Sequence, residues 1–265
     1  MVNYAEMLIF LRKTQLILFA LAALSVWVLS VGAADAELAV KVPLRVVLDP
    51  GHGGGDKGLS GPGGTTESGL TMIVAERLKE ALENELGLEV FLTRQADQNP
   101  GLTDRIALAN AIVADVFVSI HCSIGQGPAP QYNLFVQDYQ YQAGLAKQSE
   151  SMNANPSAGE IWALTQARHI PASRQLAHEI DLALSTVLHV KERGMTGLPL
   201  AVLAGADQPA VLLEIGHLND PEAERRLANP AYHDALARAM VNAFSAWIRT
   251  LQFANENDSE AETKP

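Results

Sequence analysis

The sequence of 265 residues contains a single cysteine and few basic residues. One cysteine, Cys122, excludes an internal disulfide framework and any metal site built from several cysteines. Lysine and arginine number 19 against 30 acidic residues, which gives a formal net charge of -11. Because nucleic-acid partners require a basic surface, this charge argues against such a partner, and it provides no attraction to anionic lipid. No internal repeat is visible.

The N-terminal segment predicts export. Arg12 and Lys13 precede an apolar run over residues 16–31, and an A-x-A cleavage signature follows at residues 34–36. This layout is typical of a secretory signal peptide, although the run is longer than the usual core of about 7–15 residues. Residues 1–36 are therefore predicted to be a signal peptide or an uncleaved membrane anchor, the only membrane contact expected. The working domain would lie in the periplasm or cell envelope.

The rest of the chain alternates predicted strands and helices. Apolar runs at residues 44–49, 88–93, 115–120 and 209–214 predict strands buried on both faces. Amphipathic segments between and after them predict helices. After a linker at residues 37–43, we expect one α/β domain over residues 44–251, a mostly parallel twisted sheet with helices on both faces. The acidic tail, residues 252–265, is predicted to be disordered.

One segment interrupts this alternation. Residues 137–170 are polar, rich in Gln and Asn, and only weakly periodic. The segment exceeds an ordinary connection, which has a median length of about 4–6 residues. It is interpreted as an insertion over one edge of the domain.

The glycine-rich loop after the first strand, "PGHGGGDKGLSGPGG", contains a G-x-G-x-x-G pattern. A dinucleotide site needs a helix that opens at the third glycine, and here the loop continues through Pro62 and two more glycines. A P-loop is excluded as well, because Lys57 is followed by Gly58 rather than Ser or Thr. The loop therefore does not predict a phosphate site.

Metal-capable side chains follow the predicted strands. His52 follows the first strand, His121 follows "DVFVSI", and Glu214 ends "PAVLLE". Because ligands bind at the carboxyl ends of strands in an open parallel sheet, these three side chains are expected at one rim. Glu67, at the start of the first long helix, would join them if the loop folds back. Two histidines, two carboxylates and an open edge match a catalytic zinc site, which uses three protein ligands of the His and Glu type and keeps a position for water. Ordinary polar roles for each residue remain open on these grounds alone.

Six segments together resemble a known family. They are "VVLDPGHGG", "ESGLTMIVAERLKEAL", "VFLTR", "DRIALAN", "VFVSIH" and "PAVLLEIGHLNDPEAERRL". In this order they resemble the catalytic domain, amidase type 3, of the zinc-dependent N-acetylmuramoyl-L-alanine amidases. The resemblance covers residues 44–251. It implies hydrolysis of the amide between N-acetylmuramic acid and L-alanine in peptidoglycan, during cell-wall remodelling, daughter-cell separation or turnover.

The resemblance also implies roles for individual residues. His52, Glu67 and His121 would hold one Zn²⁺ ion, and Glu214 would be the catalytic acid and base. Arg94 and Arg105 match family positions and are interpreted as substrate-binding or structural, with an ion pair favoured for both.

Three residues depart from the family pattern. Ser68 stands where lysine is usual, Cys122 where a small residue is common, and His217 where the residue is often aromatic. Cys122 is not expected to be a nucleophile, because a zinc site accounts for its neighbours. His217 is interpreted as a packing residue or as part of the substrate rim.

Some relatives carry an insertion whose helix plugs the site until an activator protein moves it. Residues 137–170 lie in the corresponding interval, so the resemblance implies a candidate lid, with Glu150 or Glu160 as zinc-capping residues. A substrate-binding flap is the alternative. Two other functions stay open, a zinc peptidase of the stem peptide and a non-catalytic peptidoglycan-binding domain.

Overall fold

The computed structural model describes residues 43–125, 132–137, 165–191 and 193–262, with side chains described as far as Leu251. The predicted leader, residues 1–36, and the linker up to residue 42 lie outside this part of the chain. So do Glu150, Glu160 and most of the predicted insertion. Within the described part, none of the helices has both the length and the apolar character needed to cross a membrane.

The elements alternate in the order that the sequence predicts, with two additional strands. The strands are β1 (Arg45–Pro50), β2 (Glu89–Leu92), β3 (Val116–Ser123), β4 (Asn133–Gln137), β5 (Met195–Leu198) and β6 (Ala210–His217). The helices are α1 (Glu67–Leu86), α2 (Leu102–Ala111), α3 (Ile170–Leu188), α4 (Pro221–Leu227) and α5 (Pro230–Glu262).

The six strands form one sheet in the order β2-β1-β3-β6-β4-β5. Every pairing is parallel except that of β4 with β6, which confirms the mostly parallel sheet. The chain leaves β1 towards β2 on one side and then returns past β1 to form β3 on the other side. Right-handed crossovers therefore place α1 and α2 on opposite faces. Such a reversal of strand order opens a crevice at the carboxyl ends of β1 and β3, where open α/β sheets bind ligands.

Alternate strand residues feed a hydrophobic core on each face of the sheet. Val46 and Leu48 of β1 pack in the larger core with α1, α3 and α5, whereas Val47 packs on the opposite face with α2. Period-two alternation explains this division, and both faces are apolar because both are covered. The long terminal helix α5 packs against α1 and α3.

Strands β4 and β5 are absent from the sequence prediction. β5 is short, contains Gly197 and is half exposed at the end of the sheet, so it has none of the apolar character used to predict the other strands. β4 ends at Gln137, where the polar segment was predicted to begin.

The end of the predicted insertion belongs to the domain. Residues Gln166–His169 form a 3₁₀ turn that continues directly into α3. Gln166 is fully buried, and its Nε2 donates to the backbone oxygens of Ala206 at 2.9 Å and Gln208 at 2.7 Å. Gln166 is thus a buried polar residue with satisfied hydrogen bonds, although it contributes to the polar character of the stretch. The predicted insertion, residues 137–170, therefore overlaps this turn and the first residue of α3.

At the C-terminus, α5 continues as helix to Glu262. The predicted tail at residues 252–265 therefore begins within a helix, and its side chains lie outside the described residues.

Candidate functional site

The loop after β1 holds His52 in an unusual backbone conformation. His52 has a φ of 60°, in the left-handed region that non-glycine residues seldom occupy. Gly53 and Asp56 exchange two backbone hydrogen bonds of 2.9 Å, which close a tight turn behind the histidine. His52 Nδ1 lies 2.9 Å from Asp56 Oδ2, and Asp56 Oδ1 accepts a hydrogen bond from the Gly58 amide at 3.0 Å. These hydrogen bonds keep the pKa of Asp56 below its ordinary value, with the bond to His52 contributing most.

Glu67 reaches His52 because the glycine loop folds back. The Glu67 amide donates to the Leu59 carbonyl at 2.8 Å, which returns the chain to the loop as α1 begins. The Glu67 side chain is only 3% exposed. Its Oε2 lies 3.2 Å from His52 Nε2, and its Oε1 lies 3.0 Å from His121 Nδ1.

The charged form of Glu67 is stabilised locally. Burial alone would raise its pKa, but hydrogen bonds from His121 and from the amides of Cys122 and Leu59 outweigh burial and lower the pKa. The two amides donate at 2.8 and 2.9 Å. Glu67 is therefore ionised at neutral pH.

His121 lies at the end of β3 beside Glu214 of β6. The parallel register pairs the two residues directly, so both side chains lie on the same face of the sheet. Together with His52 and Glu67, they line a cleft of about 600 Å³. The remaining lining residues are Gly58, Leu59, Cys122, Ser123, Ile124, Asn133 and Leu212.

The residues present fit a zinc ion. One ligand atom from each of His52, Glu67 and His121 can be chosen so that all three lie within 4.8 Å of one another, the only such group among the described residues. A His₂Glu donor set is that of catalytic zinc sites that keep a position open. Glycine makes the approach feasible, since a Cβ on Gly51 would lie 2.3 Å from the His121 ring. One on Gly58 would lie 2.5 Å from the His52 ring.

Comparison with known proteins agrees with this geometry. The Amidase_3 family model, described as N-acetylmuramoyl-L-alanine amidase, matches residues 46–246. The chain belongs to this amidase family. The match includes all six strands apart from Arg45, the first residue of β1, and so includes the ends of β1, β3 and β6 that carry the site.

Individual amidases are similar over most of this chain. N-acetylmuramoyl-L-alanine amidase AmiA of Escherichia coli K12 is 31% identical over 74% of this chain and 73% of its own length. AmiC of Neisseria meningitidis is 30% identical over 77% of this chain, and the chain spans about half of that relative, 53%. The crystal structure of an amidase from Clostridium difficile 630 superposes with a TM-score of 0.62 and 26% identity, over 78% of this chain and 97% of the other.

Neither of the two arginines that match amidase family positions lines the Glu214 cleft. Arg94 is 2% exposed and donates to the backbone oxygens of Pro50, Gly51, Ser68 and Ala96 at 2.8–3.1 Å. No carboxylate among the described residues lies within ion-pair distance of it, so the predicted ion pair is not found in this part of the chain. It holds together the loop after β1 and the start of α1.

Arg105 does form the predicted ion pair. Its Nη1 lies 2.8 Å from Asp49 Oδ1, and both side chains are buried. Its Nη2 donates to the His52 carbonyl at 2.8 Å. Arg105 therefore supports the backbone of His52 from the α2 side. It also lines a smaller cleft of about 320 Å³, whose lining includes His52 and His121.

Cys122 and His217, two of the residues that were expected to depart from the amidase family pattern, are both buried. Burial, with the nearby carboxylates of Glu67 and Glu214, raises the pKa of the Cys122 thiol, which disfavours the nucleophilic thiolate. His217 is 9% exposed and lies directly under Gly125, where an added Cβ would be 1.9 Å from the imidazole. Burial lowers the pKa of His217. These observations agree with its interpretation as a packing residue.

The sequence prediction missed two residues of the site. Asp56 contacts His52, and a carboxylate four residues after a histidine in a glycine-rich turn was the only signal for it. Asn133 donates through Nδ2 to Glu214 Oε2 at 2.7 Å. Its position depends on β4, which was not predicted, so no sequence signal identified it.

Proposed function

We propose that the chain is a zinc-dependent amidase that hydrolyses the amide between N-acetylmuramic acid and L-alanine in peptidoglycan. One observation carries the proposal: a His–Glu–His group that fits zinc lies at a cleft beside a second carboxylate, that of Glu214. A protein that only binds peptidoglycan has no use for a carboxylate in that position. Membership in the amidase family and the names of the relatives support the choice of substrate.

His52, Glu67 and His121 would hold the metal. A zinc ion bound there would supply Lewis acidity, lowering the pKa of water to about 7 and polarising the carbonyl of the substrate amide. The ionised Glu67 contributes a negative charge, and its hydrogen bonds from Cys122 and Leu59 fix the carboxylate plane. Such outer contacts orient ligands and raise metal affinity.

Glu214 would carry the proton. Oε2 is engaged by Asn133, and Oε1 has no hydrogen bond to any described residue, so one carboxylate oxygen is available to the substrate side. Glu214 would take a proton from the attacking water and pass it to the departing amine of L-alanine. General acid–base catalysis of this kind contributes about 10²–10⁴-fold to a rate.

Peptidoglycan lies outside the cytoplasm, so the proposed substrate agrees with export to the periplasm or cell envelope through the segment at residues 1–36. An activator acting on residues 137–170 stays a prediction of the sequence, as does zinc capping by Glu150 or Glu160. Deleting residues 138–164 tests both predictions. If the segment is an autoinhibitory lid, hydrolysis of peptidoglycan becomes faster, whereas if it is a substrate-binding flap, hydrolysis is lost.

The decisive experiment is mass spectrometry of what purified residues 37–265 release from intact peptidoglycan. Free stem peptides that begin with L-alanine, lost with chelator and restored by zinc, are the expected products. Shortened peptides still attached to glycan would instead identify a zinc peptidase. Absence of any release, also from the protein lacking residues 138–164, would favour the binding domain.

A further inference from the structure

Asn133 lies directly opposite the carboxylate that we assign to proton transfer. β4 is antiparallel to β6, and the register pairs Asn133 with Glu214. Residues directly opposite each other have Cβ atoms about 4.5–5.5 Å apart and point to the same face. The amide Nδ2 spans this gap and donates to Glu214 Oε2 at 2.7 Å.

The orientation of the amide is fixed from both ends. An ionised carboxylate only accepts hydrogen bonds and a guanidinium only donates them. Nδ2 must therefore be the atom that faces Glu214, and Oδ1 accepts from Nη2 of Arg193 at 3.4 Å. A flipped amide would place oxygen against oxygen on one side and nitrogen against nitrogen on the other.

Asp181, a buried acid on α3, forms hydrogen bonds with Arg193 and with Tyr132, the residue before Asn133. Asp181 is 3% exposed, and its Oδ1 accepts from the Arg193 amide at 3.0 Å. The hydroxyl of the fully buried Tyr132, the residue before Asn133, donates to the backbone oxygen of Asp181 at 3.0 Å. The backbone positions of Asn133 and Arg193 are thus tied to the same point of α3.

We propose that Asn133 is a positioning residue for Glu214. The inference rests on the proposed function, in which Glu214 moves the proton. The side chain of Asn133 holds Oε2 and thereby fixes the carboxylate plane, so that Oε1 stays available in the cleft. Arg193 acts one step further out by keeping the amide in its productive orientation. Without the amide donor, the Glu214 side chain regains rotamers that turn the carboxylate away from the substrate.

A purely structural role for Asn133 predicts a different outcome. The amide side chain is not part of the β4–β6 backbone ladder, and asparagine is disfavoured in strands. If the side chain only stabilised the sheet, its loss would lower the unfolding temperature and leave the rate constant of the folded enzyme unchanged. A positioning residue affects kcat, whereas KM, zinc content and unfolding temperature stay close to those of the wild type.

The test compares Asn133→Leu, which keeps the size and removes the donor, with Asn133→Gln, which keeps an amide. Asn133→Leu is expected to lose about 10- to 100-fold in kcat, since small misplacements of reacting groups cost up to about 10²-fold. Asn133→Gln is expected to recover part of that loss. Asn84→Leu, the same change on α1 beside a groove remote from the cleft, serves as the matched control. Unchanged kcat in Asn133→Leu would overturn the inference.

Two further measurements separate this inference from the proposed function. In the Glu214→Gln background, Asn133→Leu is expected to have no additional effect on residual turnover, and an additive loss would show that Asn133 does not act through Glu214.

Crystal structures of the wild type and Asn133→Leu give a readout independent of activity. The Glu214 carboxylate is expected to leave its position in the variant. If neither the wild type nor the protein lacking residues 138–164 released peptides, the proposed function would fail, whereas an unmoved carboxylate in the variant would refute positioning itself.

Discussion

The imidazole of His52 lies between two carboxylates, with Nδ1 2.9 Å from Asp56 Oδ2 and Nε2 3.2 Å from Glu67 Oε2. An ionised carboxylate at Nδ1 requires the proton on that nitrogen, which leaves the Nε2 lone pair free for a metal. The turn that makes this possible places His52 at a φ of 60°. Asp56 therefore fixes both the tautomer and the direction of the ring.

Replacing Asp56 with alanine is expected to weaken zinc binding by about 10- to 100-fold, the usual effect of removing such an outer contact. Competition with a chromogenic chelator measures the affinity. Asp97→Ala, in the exposed loop after Arg94, is the control and should bind zinc as the wild type does. Equal affinities for the two variants would remove Asp56 from this role.

Glycine at position 51 is expected to be required for the site. A Cβ on Gly51 would lie 2.3 Å from the His121 imidazole, so Gly51→Ala must displace a metal ligand or the loop. Overpacking of this kind costs about 1–3 kcal/mol. We expect Gly51→Ala to bind zinc more weakly and to unfold at a lower temperature.

Gly55 provides the matched comparison, since a Cβ there meets nothing within 4 Å. Gly55→Ala should retain the zinc affinity of the wild type in the chelator competition assay and its unfolding temperature in scanning calorimetry, and Gly51→Ala is measured in the same two assays. A similar loss in both variants would mean that general flexibility of the loop, rather than space beside His121, is what the site needs.

The parts of the fold that followed from the sequence are those with strong periodic patterns. β1, β3 and β6 are apolar runs buried on both faces, and β2 is a partly buried apolar run at the edge of the sheet. Because these strands are parallel, their carboxyl ends lie at one rim of the sheet. The prediction that His52, His121 and Glu214 lie together rested on this topology alone and required no side-chain contacts. Glu67 followed from the loop that returns the chain to the start of α1.

What could not be predicted depends on pairings between distant parts of the chain. Asn133 faces Glu214 only because β4 adds antiparallel to β6, and no local pattern encodes that register. Arg94 was expected to pair with an acid, yet four backbone oxygens surround it. A buried guanidinium has five donors, and backbone carbonyl oxygens can accept from them without supplying a counter-charge.

Glu224 of α4 is expected to make stability depend on pH. Its Oε2 accepts from the Gly63 amide at 2.6 Å and its Oε1 from the Thr65 amide at 2.9 Å, so it clamps the glycine loop. These bonds, chiefly that from Gly63, lower the pKa of Glu224 below the ordinary 4.5. Because the folded state holds the lower pKa, the stabilisation is complete above pH 4.5 and is lost as pH falls through the folded-state pKa.

Glu224→Gln is therefore expected to lower the free energy of unfolding by about 1–2 kcal/mol at pH 7, because an amide supplies one acceptor oxygen where the carboxylate supplies two. At pH 3 the difference from wild type should shrink. Urea unfolding at both pH values measures it. Glu222→Gln, an exposed change on the same helix, should show little difference at either pH. A constant difference across pH would show that the charge of Glu224 is not what stabilises the loop.

Separate substitutions of His52 and Glu214 should divide metal binding from proton transfer. His52→Ala removes one of three donors, so both bound zinc after dialysis and peptide release are expected to fall. Glu214→Gln removes the base but leaves the His–Glu–His group intact, so zinc should remain bound while turnover falls by about 10²–10⁴-fold. Elemental analysis of the dialysed protein and product mass spectrometry give the two readouts.

His189→Asn, at the exposed left-handed residue that ends α3, is the control and should change neither bound zinc nor peptide release. Turnover that persisted in Glu214→Gln would assign the proton to another group, and zinc that persisted in His52→Ala would place the metal elsewhere.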